Sequence, residues 1–259
     1  MLFALRHGER ADRGSDHEKS KIEHDHDPHL TDLGKIQANK AGEKIVNLIK
    51  DHHKESPSKV DELQYLIISS PFRRCIQTAY HVSEALPKEK IIGQTIFLDD
   101  FLCDYLYYLP EDILKTLQSR TNLEDVKKHV DLHLQDGFPI PGQHAFAPQH
   151  PEGTTGIRQR VLEGFEKIKP HYLNEVNKDD NVVLILVTHG FVVECLLELH
   201  DGFDKMKGLH YTTLSHIVFD PEDGKGKVLV AQDHEHLKEA EEVYKIMLEN
   251  QNQQQQQQE

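Results

Sequence analysis

Two arginines and a histidine stand close together near the start of the chain, in the pentapeptide Arg6-His7-Gly8-Glu9-Arg10. A guanidinium group binds a phosphoryl dianion through paired hydrogen bonds, and a neutral imidazole beside it can attack the phosphorus atom. These residue types therefore indicate phosphate chemistry. A basic strand end without any catalytic role has the same composition, so the interpretation depends on what the rest of the chain places beside the pentapeptide.

Three apolar runs of strand length are each followed by residues that could bind or attack phosphate. The runs and the residues that follow them are 2–5 with Arg6 and His7, 63–68 with Arg73 and Arg74, and 182–187 with His189. Apolar runs without alternation are typical of strands buried on both faces, as in a parallel sheet covered by helices. Ligands bind outside the carboxyl ends of the strands in such sheets, so these side chains are predicted to meet.

A segment with helical spacing of apolar residues follows each run, so strands and helices alternate along the chain. After the first run, Thr31 is a suitable N-cap for a helix that begins with the apolar residues Leu33 and Ile36. This alternation is typical of an α/β fold with a doubly wound, mostly parallel sheet and helices on both faces. Residues 1–250 are predicted to form one such domain, with a late hairpin that turns at 223–226.

Residues 97–160 differ in character, because aromatic residues and prolines interrupt the regular apolar pattern. This segment is predicted to be an insertion over the strand ends, with helices near 111–117 and 123–134. It could act as a lid or as a wall for a substrate, or its aromatic residues could simply pack in a small subdomain. The tail, residues 251–259, is almost entirely glutamine and is predicted to be disordered.

The composition argues against several classes of protein. A net charge of −14 disfavours a nucleic-acid partner, because proteins that bind nucleic acid usually carry a basic excess. No apolar run approaches the roughly 20 residues that cross a bilayer, and the opening strand is not typical of a signal peptide. Cys75, Cys103 and Cys195 have neither a disulfide nor a zinc-type spacing. These features predict a soluble cytoplasmic protein with reduced cysteines and no membrane association, and they do not indicate an oligomeric state.

A loop rich in histidine and aspartate is the main candidate for a metal site. It contains His17, His24, His26 and His29 among three aspartates. These residues lack the helical or finger-like spacing that organises ligands around a metal ion, so a solvated loop is the simpler interpretation. A metal-dependent hydrolase built on this loop stays open as an alternative, and it predicts that chelators abolish activity.

Four blocks of the sequence resemble, in order and in spacing, the motifs of the histidine phosphatase superfamily, which is also called phosphoglycerate-mutase-like. The blocks are LRHGER at 5–10, LTDLGKIQA at 30–38, SSPFRRCIQTA at 69–79 and VTHG at 187–190. Glu9, Arg10 and the third block are most similar to the Sts/TULA-type phosphatases, which are ubiquitin-associated, SH3-containing proteins, and to their ecdysteroid-phosphate phosphatase relatives. The resemblance is good over 1–79 and 182–191 and thin across the insertion.

The resemblance implies a role for each matched residue. His7 is expected to be the nucleophile that becomes phosphohistidine, with Arg6 and Arg74 as clamps for the phosphate. Arg10 corresponds to the extra arginine of the Sts-type branch, and His189 is expected to donate hydrogen bonds to the phosphoryl oxygens.

Three neighbours of these residues receive lesser roles. Arg73 is expected to be a surface or secondary residue, and Gly8 to leave room near the phosphate. Glu9 marks the branch and has no implied chemistry.

A proton donor is also required, because an alkoxide leaves poorly unless a proton reaches it in the transition state. The Sts-type branch uses a glutamate, and Asp104 best matches its position, with Asp99 and Asp100 as rivals. Aspartate is one methylene shorter, and its reference pKa near 3.9 leaves about one molecule in a thousand protonated at pH 7. Either burial raises that pKa, or the enzyme works best in acid, or the leaving group is a good one.

The resemblance implies a phosphomonoester hydrolase that acts through a phosphohistidine intermediate, without metal or cofactor, on a small-molecule or protein phosphomonoester. Neutral His7 would attack while the three arginines and a protonated His189 hold the phosphoryl oxygens, and Asp104 would protonate the leaving oxygen. The aromatic insertion and the Sts-type resemblance favour phosphotyrosine or another aromatic or lipophilic ester. A phosphoglycerate-type mutase and a non-catalytic phospholigand-binding scaffold stay open as alternatives.

Overall fold

The computed structural model of the protein describes residues 1–22, 25–105, 124–127, 130–136, 152–177, 181–202, 204, 210–220 and 222–256. Seven strands in this part of the chain form one sheet. The strands are β1 (Leu2–Arg6), β2 (Gln64–Ser69), β3 (Ile91–Leu98), β4 (His133–Asp136), β5 (Val182–Thr188), β6 (Leu214–Phe219) and β7 (Gly226–Asp233). The α-helices of the described residues are α1 (Asp16–Lys19), α2 (Asp32–His52), α3 (Ser58–Glu62), α4 (Arg73–Ser83), α5 (Glu124–Lys127), α6 (Thr154–His171), α7 (Gly190–Glu198) and α8 (His236–Gln256).

The strand order in the sheet is β4-β3-β2-β5-β1-β6-β7. The five strands from β4 to β1 run parallel to one another, whereas β6 is antiparallel to β1 and β7 is antiparallel to β6. The prediction of a doubly wound, mostly parallel sheet is therefore confirmed. The reversal at β6 also returns the chain to the end of β1, where the candidate residues lie.

Helices bury both faces of the sheet, because successive residues of each central strand point to opposite sides. On one face, Phe3 and Leu5 of β1 belong to a core that includes the buried sides of α2 and α4. On the other face, Leu2 and Ala4 belong to a core that includes α6 and α7. The continuous apolar runs of the sequence are thus explained by burial on both sides.

The strands and caps expected from the sequence lie close to their predicted positions. The three apolar runs form β1, β2 and β5, and the late hairpin forms β6 and β7. Thr31 caps α2 by accepting a hydrogen bond from the Gly34 N–H at 2.9 Å. Cys75, Cys103 and Cys195 are buried and form no disulfide among the described residues.

Two strands were not anticipated. The left-handed backbone of Gly93 and Gln94 interrupts β3, with φ of 64° and 48°, and this break hides its apolar pattern. The helix predicted over 123–134 is wrong at its end, because His133–Asp136 forms β4 at the sheet edge by pairing with β3. An edge strand is held by backbone hydrogen bonds to its neighbour, which no local pattern encodes.

The insertion and the tail also differ from the prediction. Phe97 and Leu98 are the last residues of β3, and α6 begins at Thr154, so both predicted bounds of the insertion lie inside regular elements. The helix predicted near 111–117 lies outside the described residues. The tail is helical through Gln256 as the end of α8, where disorder was expected, since glutamine is a good helix former and can extend an existing helix.

Among the described helices, none combines the length and the apolarity needed to cross a bilayer.

Candidate active site

Three parallel strands bring the candidate residues together at their carboxyl ends. In the pairing of β1 with β5, Arg6 lies opposite Thr188, so His7 and His189 leave the sheet side by side. β2 pairs with the other edge of β5 and leads into α4, which carries Arg74 in its first turn. The ring centroids of the two histidines are 5.3 Å apart. The sheet therefore brings together the ends of runs that are far apart in sequence.

His7 is held in one orientation and one tautomer. Its side chain is buried, and its Nδ1 lies 2.8 Å from the Gly8 carbonyl oxygen, which can only accept a hydrogen bond. Nδ1 therefore carries the proton, and Nε2 keeps the lone pair that a nucleophile needs. Burial, the Arg74 guanidinium and the His189 ring lower the pKa of His7 well below 6.5. The neutral, nucleophilic form is thus the stable one near pH 7.

Arg74 lies at the centre of a cluster that it forms with His7, His189 and Asp104. Its Nη2 is 2.9 Å from Asp104 Oδ2, and its Nη1 is 3.5 Å from Asp27 Oδ1. Its guanidinium also lies over the Phe72 ring, 4.3 Å from the centroid. Contacts on both sides hold the planar group in place, and its two ends are spaced to meet an oxyanion in two-point fashion.

His189 is buried between polar groups of three segments. Its Nε2 is 2.9 Å from Ser70 Oγ, and its Nδ1 is 3.3 Å from both Asp104 Oδ2 and Arg74 Nη2. Burial and the surrounding arginines, led by Arg74, lower the pKa of His189 well below 6.5. His189 is therefore neutral before an anion binds, whereas the protonated His189 expected from the resemblance belongs to the site with the phosphoryl group in place. A phosphate dianion against the ring would raise the pKa again.

Asp104 contacts Arg74 and His189 through its Oδ2. Asp99 accepts a hydrogen bond from the Phe101 N–H at 3.2 Å and caps a short 3₁₀ helix, Asp100–Leu102. Asp100 is buried, with its Oδ1 3.8 Å from Cys103 Sγ. The Asp104 side chain is 32% exposed, so it lies where both the buried histidines and an entering ester can reach it.

The ionisation of Asp104 reduces the three possibilities that the sequence leaves open to two. Burial alone would raise the pKa of Asp104, but the Arg74 guanidinium and the Tyr105 N–H outweigh it and hold the pKa below its usual range. The first possibility, a pKa raised by burial, is therefore wrong for the site before an anion binds. Acidic conditions or a good leaving group remain.

Arg6 and Arg10 complete the positive charge at this edge. The Arg6 guanidinium lies 4.6 Å from the centroid of the Tyr211 ring, and that centroid is 5.9 Å from the one of His7. Arg10 is paired with Asp12 through contacts of 2.8 Å and 2.5 Å, which raise the pKa of Arg10 despite burial. The arginines thus gather a local positive field in a chain whose net charge is −14.

The structure adds two residues that the sequence did not single out. Asp27 accepts hydrogen bonds from the Arg73 N–H at 2.9 Å and 3.1 Å, so it caps α4 and also faces Arg74. Tyr211 precedes β6, whose antiparallel pairing with β1 brings it beside Arg6. A buried aspartate in a loop full of aspartates has no local signal. Tyr211 could have been found only by predicting the β1–β6 pairing.

The packing bears on three neighbours of the site residues. Arg73 is 6% exposed, so it is not a surface residue, which was one of the two roles expected for it. Gly8 makes room for a helix, since a Cβ there would lie 2.4 Å from the Gly34 carbonyl oxygen at the start of α2. Glu9 accepts a hydrogen bond from Thr31 Oγ at 3.1 Å and so belongs to the same helix end.

Among the described residues, no group of three or more histidine, cysteine, aspartate or glutamate side chains is arranged to hold a metal ion. His24 of the histidine-rich loop lies outside these residues.

Comparison with known proteins identifies a family for the first part of the chain. Residues 2–97 match the model of the histidine phosphatase superfamily (branch 1). The match includes His7 and Arg74 and ends before Asp104 and His189. The resemblance is thus confirmed over the first three of the four sequence blocks. No curated protein matches the chain.

Solved structures with the same fold cover most of the chain. The ecdysone phosphate phosphatase of Bombix mori is 17% identical, covers 89% of this chain and 92% of its own, and has a TM-score of 0.51. Phosphoglycerate mutase from Bacillus anthracis is 17% identical, with coverages of 93% and 96% and a TM-score of 0.50. A mycobacterial glucosyl-3-phosphoglycerate phosphatase is 16% identical, with coverages of 89% and 98% and a TM-score of 0.50. At these identities the likeness shows the shared phosphoglycerate-mutase-like fold.

Proposed function

We propose that this chain, whose residues 2–97 match the histidine phosphatase superfamily, is a phosphomonoester hydrolase that forms a phosphohistidine on His7. One observation carries the proposal. The Nδ1–H of His7 donates a hydrogen bond to the Gly8 carbonyl oxygen, and this leaves Nε2 as a buried, neutral nucleophile beside Arg74 and His189. A purely structural histidine would not need the Arg74 guanidinium, which lowers the pKa of His7, beside it. Two phosphatases that share the fold, at 16% and 17% identity, agree with hydrolysis.

The first displacement transfers the phosphoryl group to the protein. His7 Nε2 attacks phosphorus, the bond from phosphorus to the ester oxygen breaks, and its electron pair leaves with that oxygen. Asp104, once protonated, gives its proton to the departing oxygen. Arg6, Arg10 and Arg74 hold the equatorial oxygens, so the charge that develops in the transition state meets donors already in place.

The second displacement releases inorganic phosphate. The Asp104 carboxylate accepts a proton from a water molecule, whose oxygen attacks phosphorus. The bond from phosphorus to His7 Nε2 breaks, and its electron pair returns to the nitrogen. The protonated Asp104 is thereby ready for the next ester, so both proton transfers balance within one cycle.

The low pKa of Asp104 favours esters whose alcohol leaves easily. An ester of a phenol needs less help from a proton donor than an alkyl ester, because phenolate is a weaker base than alkoxide. The Tyr211 ring beside Arg6 adds an aromatic surface next to the nucleophile. We therefore favour an aryl phosphate, with phosphotyrosine as one such ester, as the substrate class.

Phosphate release from p-nitrophenyl phosphate in excess EDTA tests the proposal. The wild-type protein should turn over and should accumulate acid-labile phosphate on His7 after rapid alkaline quenching. His7→Ala should lose both signals, whereas His17→Ala, which changes an exposed residue of the histidine-rich loop, should keep them. Full activity in His7→Ala would contradict the proposal, and loss of wild-type activity in EDTA would favour a metal-dependent hydrolase.

Analysis of the products formed from phosphoglycerates separates hydrolysis from phosphoglycerate-type mutase activity. A hydrolase releases inorganic phosphate in proportion to the substrate consumed. Isomerised phosphoglycerate without free phosphate would contradict the proposal. Binding of phosphate without any phosphohistidine would identify a non-catalytic scaffold.

A further inference from the structure

Arg160 is a fully buried arginine on α6, on the face that covers the sheet near the candidate active site. It is 1% exposed. Its Nε and Nη2 contact the two carboxylate oxygens of Glu152 at 2.7 Å each. This two-point pairing balances the buried charge, but it uses only part of the guanidinium.

The remaining donors of Arg160 converge on one short stretch of backbone. Nη1 lies 3.0 Å from the carbonyl oxygen of Asp100, 2.8 Å from that of Phe101 and 3.0 Å from that of Cys103. Nη2 lies 3.3 Å from the carbonyl oxygen of Asp104. One side chain therefore holds four carbonyls of the segment 100–104, which ends at the expected proton donor.

The fifth carbonyl of this segment is held from the strand that positions His189. Thr188 Oγ1 donates to the Leu102 carbonyl oxygen at 2.6 Å. Four residues after Arg160, Gly164 lies against Phe101, so closely that a Cβ there would be 2.3 Å from Phe101 Cβ. Residues 100–104, which end at Asp104, are thus held in close contact between α6 and β5.

We propose that Arg160, held by Glu152, is a positioning residue that fixes the backbone of 100–104 and so aims the Asp104 carboxylate at the leaving oxygen. This inference rests on the proposed hydrolase function. It assigns Arg160 no contact with the substrate. Its effect passes through Asp104, whose Oδ2 meets Arg74 and His189 only while the segment keeps its place.

A stabilising role alone does not explain this arrangement. Apolar residues of similar volume often replace a buried ion pair without loss of stability, so a buried arginine is weak evidence for stability in itself. The guanidinium instead supplies five N–H donors in a rigid plane, which neither lysine nor an apolar residue can match. The placement of a proton donor is sensitive on this scale, because a displacement of about 1 Å can cost about a hundredfold in rate.

The test compares two esters that depend differently on the proton donor. Phenyl phosphate releases a phenol with a pKa near that of tyrosine, about 10, whereas p-nitrophenyl phosphate releases a much more acidic phenol. Values of kcat/KM are measured for wild type, Arg160→Lys, Asp104→Asn and the double variant. Arg158→Met is the matched control, because Arg158 lies on the same helix with an exposed pair to Glu198.

Arg160→Lys should lower kcat/KM for phenyl phosphate about tenfold to a hundredfold and that for p-nitrophenyl phosphate much less. The double variant should be no slower than Asp104→Asn alone, because both changes remove the same proton transfer. Arg158→Met should match wild type on both esters. Equal losses on the two esters, or losses that multiply in the double variant, would overturn the inference while the hydrolase function stands.

Glu152→Gln keeps the test decisive if Arg160→Lys fails to fold, as judged by circular dichroism and thermal unfolding. Glutamine retains one hydrogen-bond acceptor but cannot hold Arg160 by a charged two-point contact. The same selective loss on phenyl phosphate is expected, and an unchanged ratio between the two esters would overturn the inference. Absence of wild-type activity on both esters would instead refute the proposed function itself.

Discussion

Replacing Asp104 with asparagine should tighten the binding of inorganic phosphate, although the same change slows hydrolysis. Asp104 Oδ2 lies 2.9 Å from Arg74 Nη2, so the carboxylate occupies a position on the guanidinium that a phosphate oxygen would use. Asparagine keeps the shape of the side chain and removes its negative charge. A phosphate dianion would then meet an arginine without a competing carboxylate.

The size of the effect follows from the contact that phosphate must displace. A hydrogen bond between charged groups contributes about 1.5–3 kcal/mol when it is shielded from water. The Asp104 side chain is 32% exposed, so solvent screening reduces this figure to its lower end. A gain of about 1.4 kcal/mol corresponds to about a tenfold lower Kd for phosphate.

The gain should also depend on pH, with a definite sign. Before phosphate binds, Arg74 helps to hold the pKa of Asp104 below its usual range, so the group is charged at neutral pH. A bound dianion takes up Arg74 and adds negative charge, and both effects raise the pKa of Asp104. Wild type should therefore take up a proton on binding, which favours its binding in acid. The asparagine of the variant does not titrate, so the variant takes up no proton at this position when phosphate binds.

Isothermal titration with phosphate between about pH 3 and pH 7 measures this difference. The ratio of the wild-type Kd to the Asp104→Asn Kd should approach one only as pH falls below the pKa of Asp104 in the free protein, which lies below 3.8, and should level off at about ten above about pH 5. Ionisation of phosphate itself affects both proteins alike and cancels in the ratio. Asp99→Asn, which changes the cap of the 3₁₀ helix, is the control and should bind as wild type does. A Kd ratio of one at every pH, or a Kd ratio that does not change with pH, would refute the reasoning.

Three further predictions follow from single contacts. Arg74→Lys should lower kcat/KM for p-nitrophenyl phosphate about a hundredfold, because an ammonium group cannot reproduce a planar two-point contact; a loss below about threefold would contradict its role as a clamp. Gly164→Ala should reduce the free energy of unfolding in urea by about 1–3 kcal/mol, since the new Cβ would lie 2.3 Å from Phe101 Cβ; an unchanged unfolding midpoint would show that the segment yields without cost. Burial lowers the pKa of His216 to about 4, below its value of 6.5 in the unfolded chain, so its contribution to stability is present above pH 6.5 and is lost as pH falls towards 4. His216→Phe, which keeps the stacking on Phe3, should remove up to about 3 kcal/mol of this acid sensitivity in urea unfolding, and an unaltered pH dependence would count against it.

Much of the sheet could be predicted because its central strands carry their own signal. β1, β2 and β5 are buried on both faces, so each appears in the sequence as an unbroken apolar run. β3 and β4 carry a weaker signal, since a left-handed break interrupts one and the other lies at the sheet edge. Their positions depend on pairing with neighbours, which a local pattern does not contain.

The candidate site also has a part that the sequence predicts and a part that it does not. The types of His7, Arg74 and His189, and their place after buried strands, already indicated a phosphate site at one edge of the sheet. Asp104 could only be ranked above its rivals, because it follows a single turn of 3₁₀ helix and its segment is held from outside by Arg160 and Thr188. The resemblance to the family supplied its expected role but not its contacts.

The sequence by itself determined the chemistry available and the edge of the sheet where it gathers, because strand burial and strand direction are properties of continuous segments. Only the tertiary structure decided the state of each group: a neutral His7 with a free Nε2, a neutral His189, and an ionised Asp104 on Arg74. Ionisation depends on burial and on distances of a few ångströms to charges that other segments contribute. Those distances arise when the chain folds, and no spacing along the sequence records them.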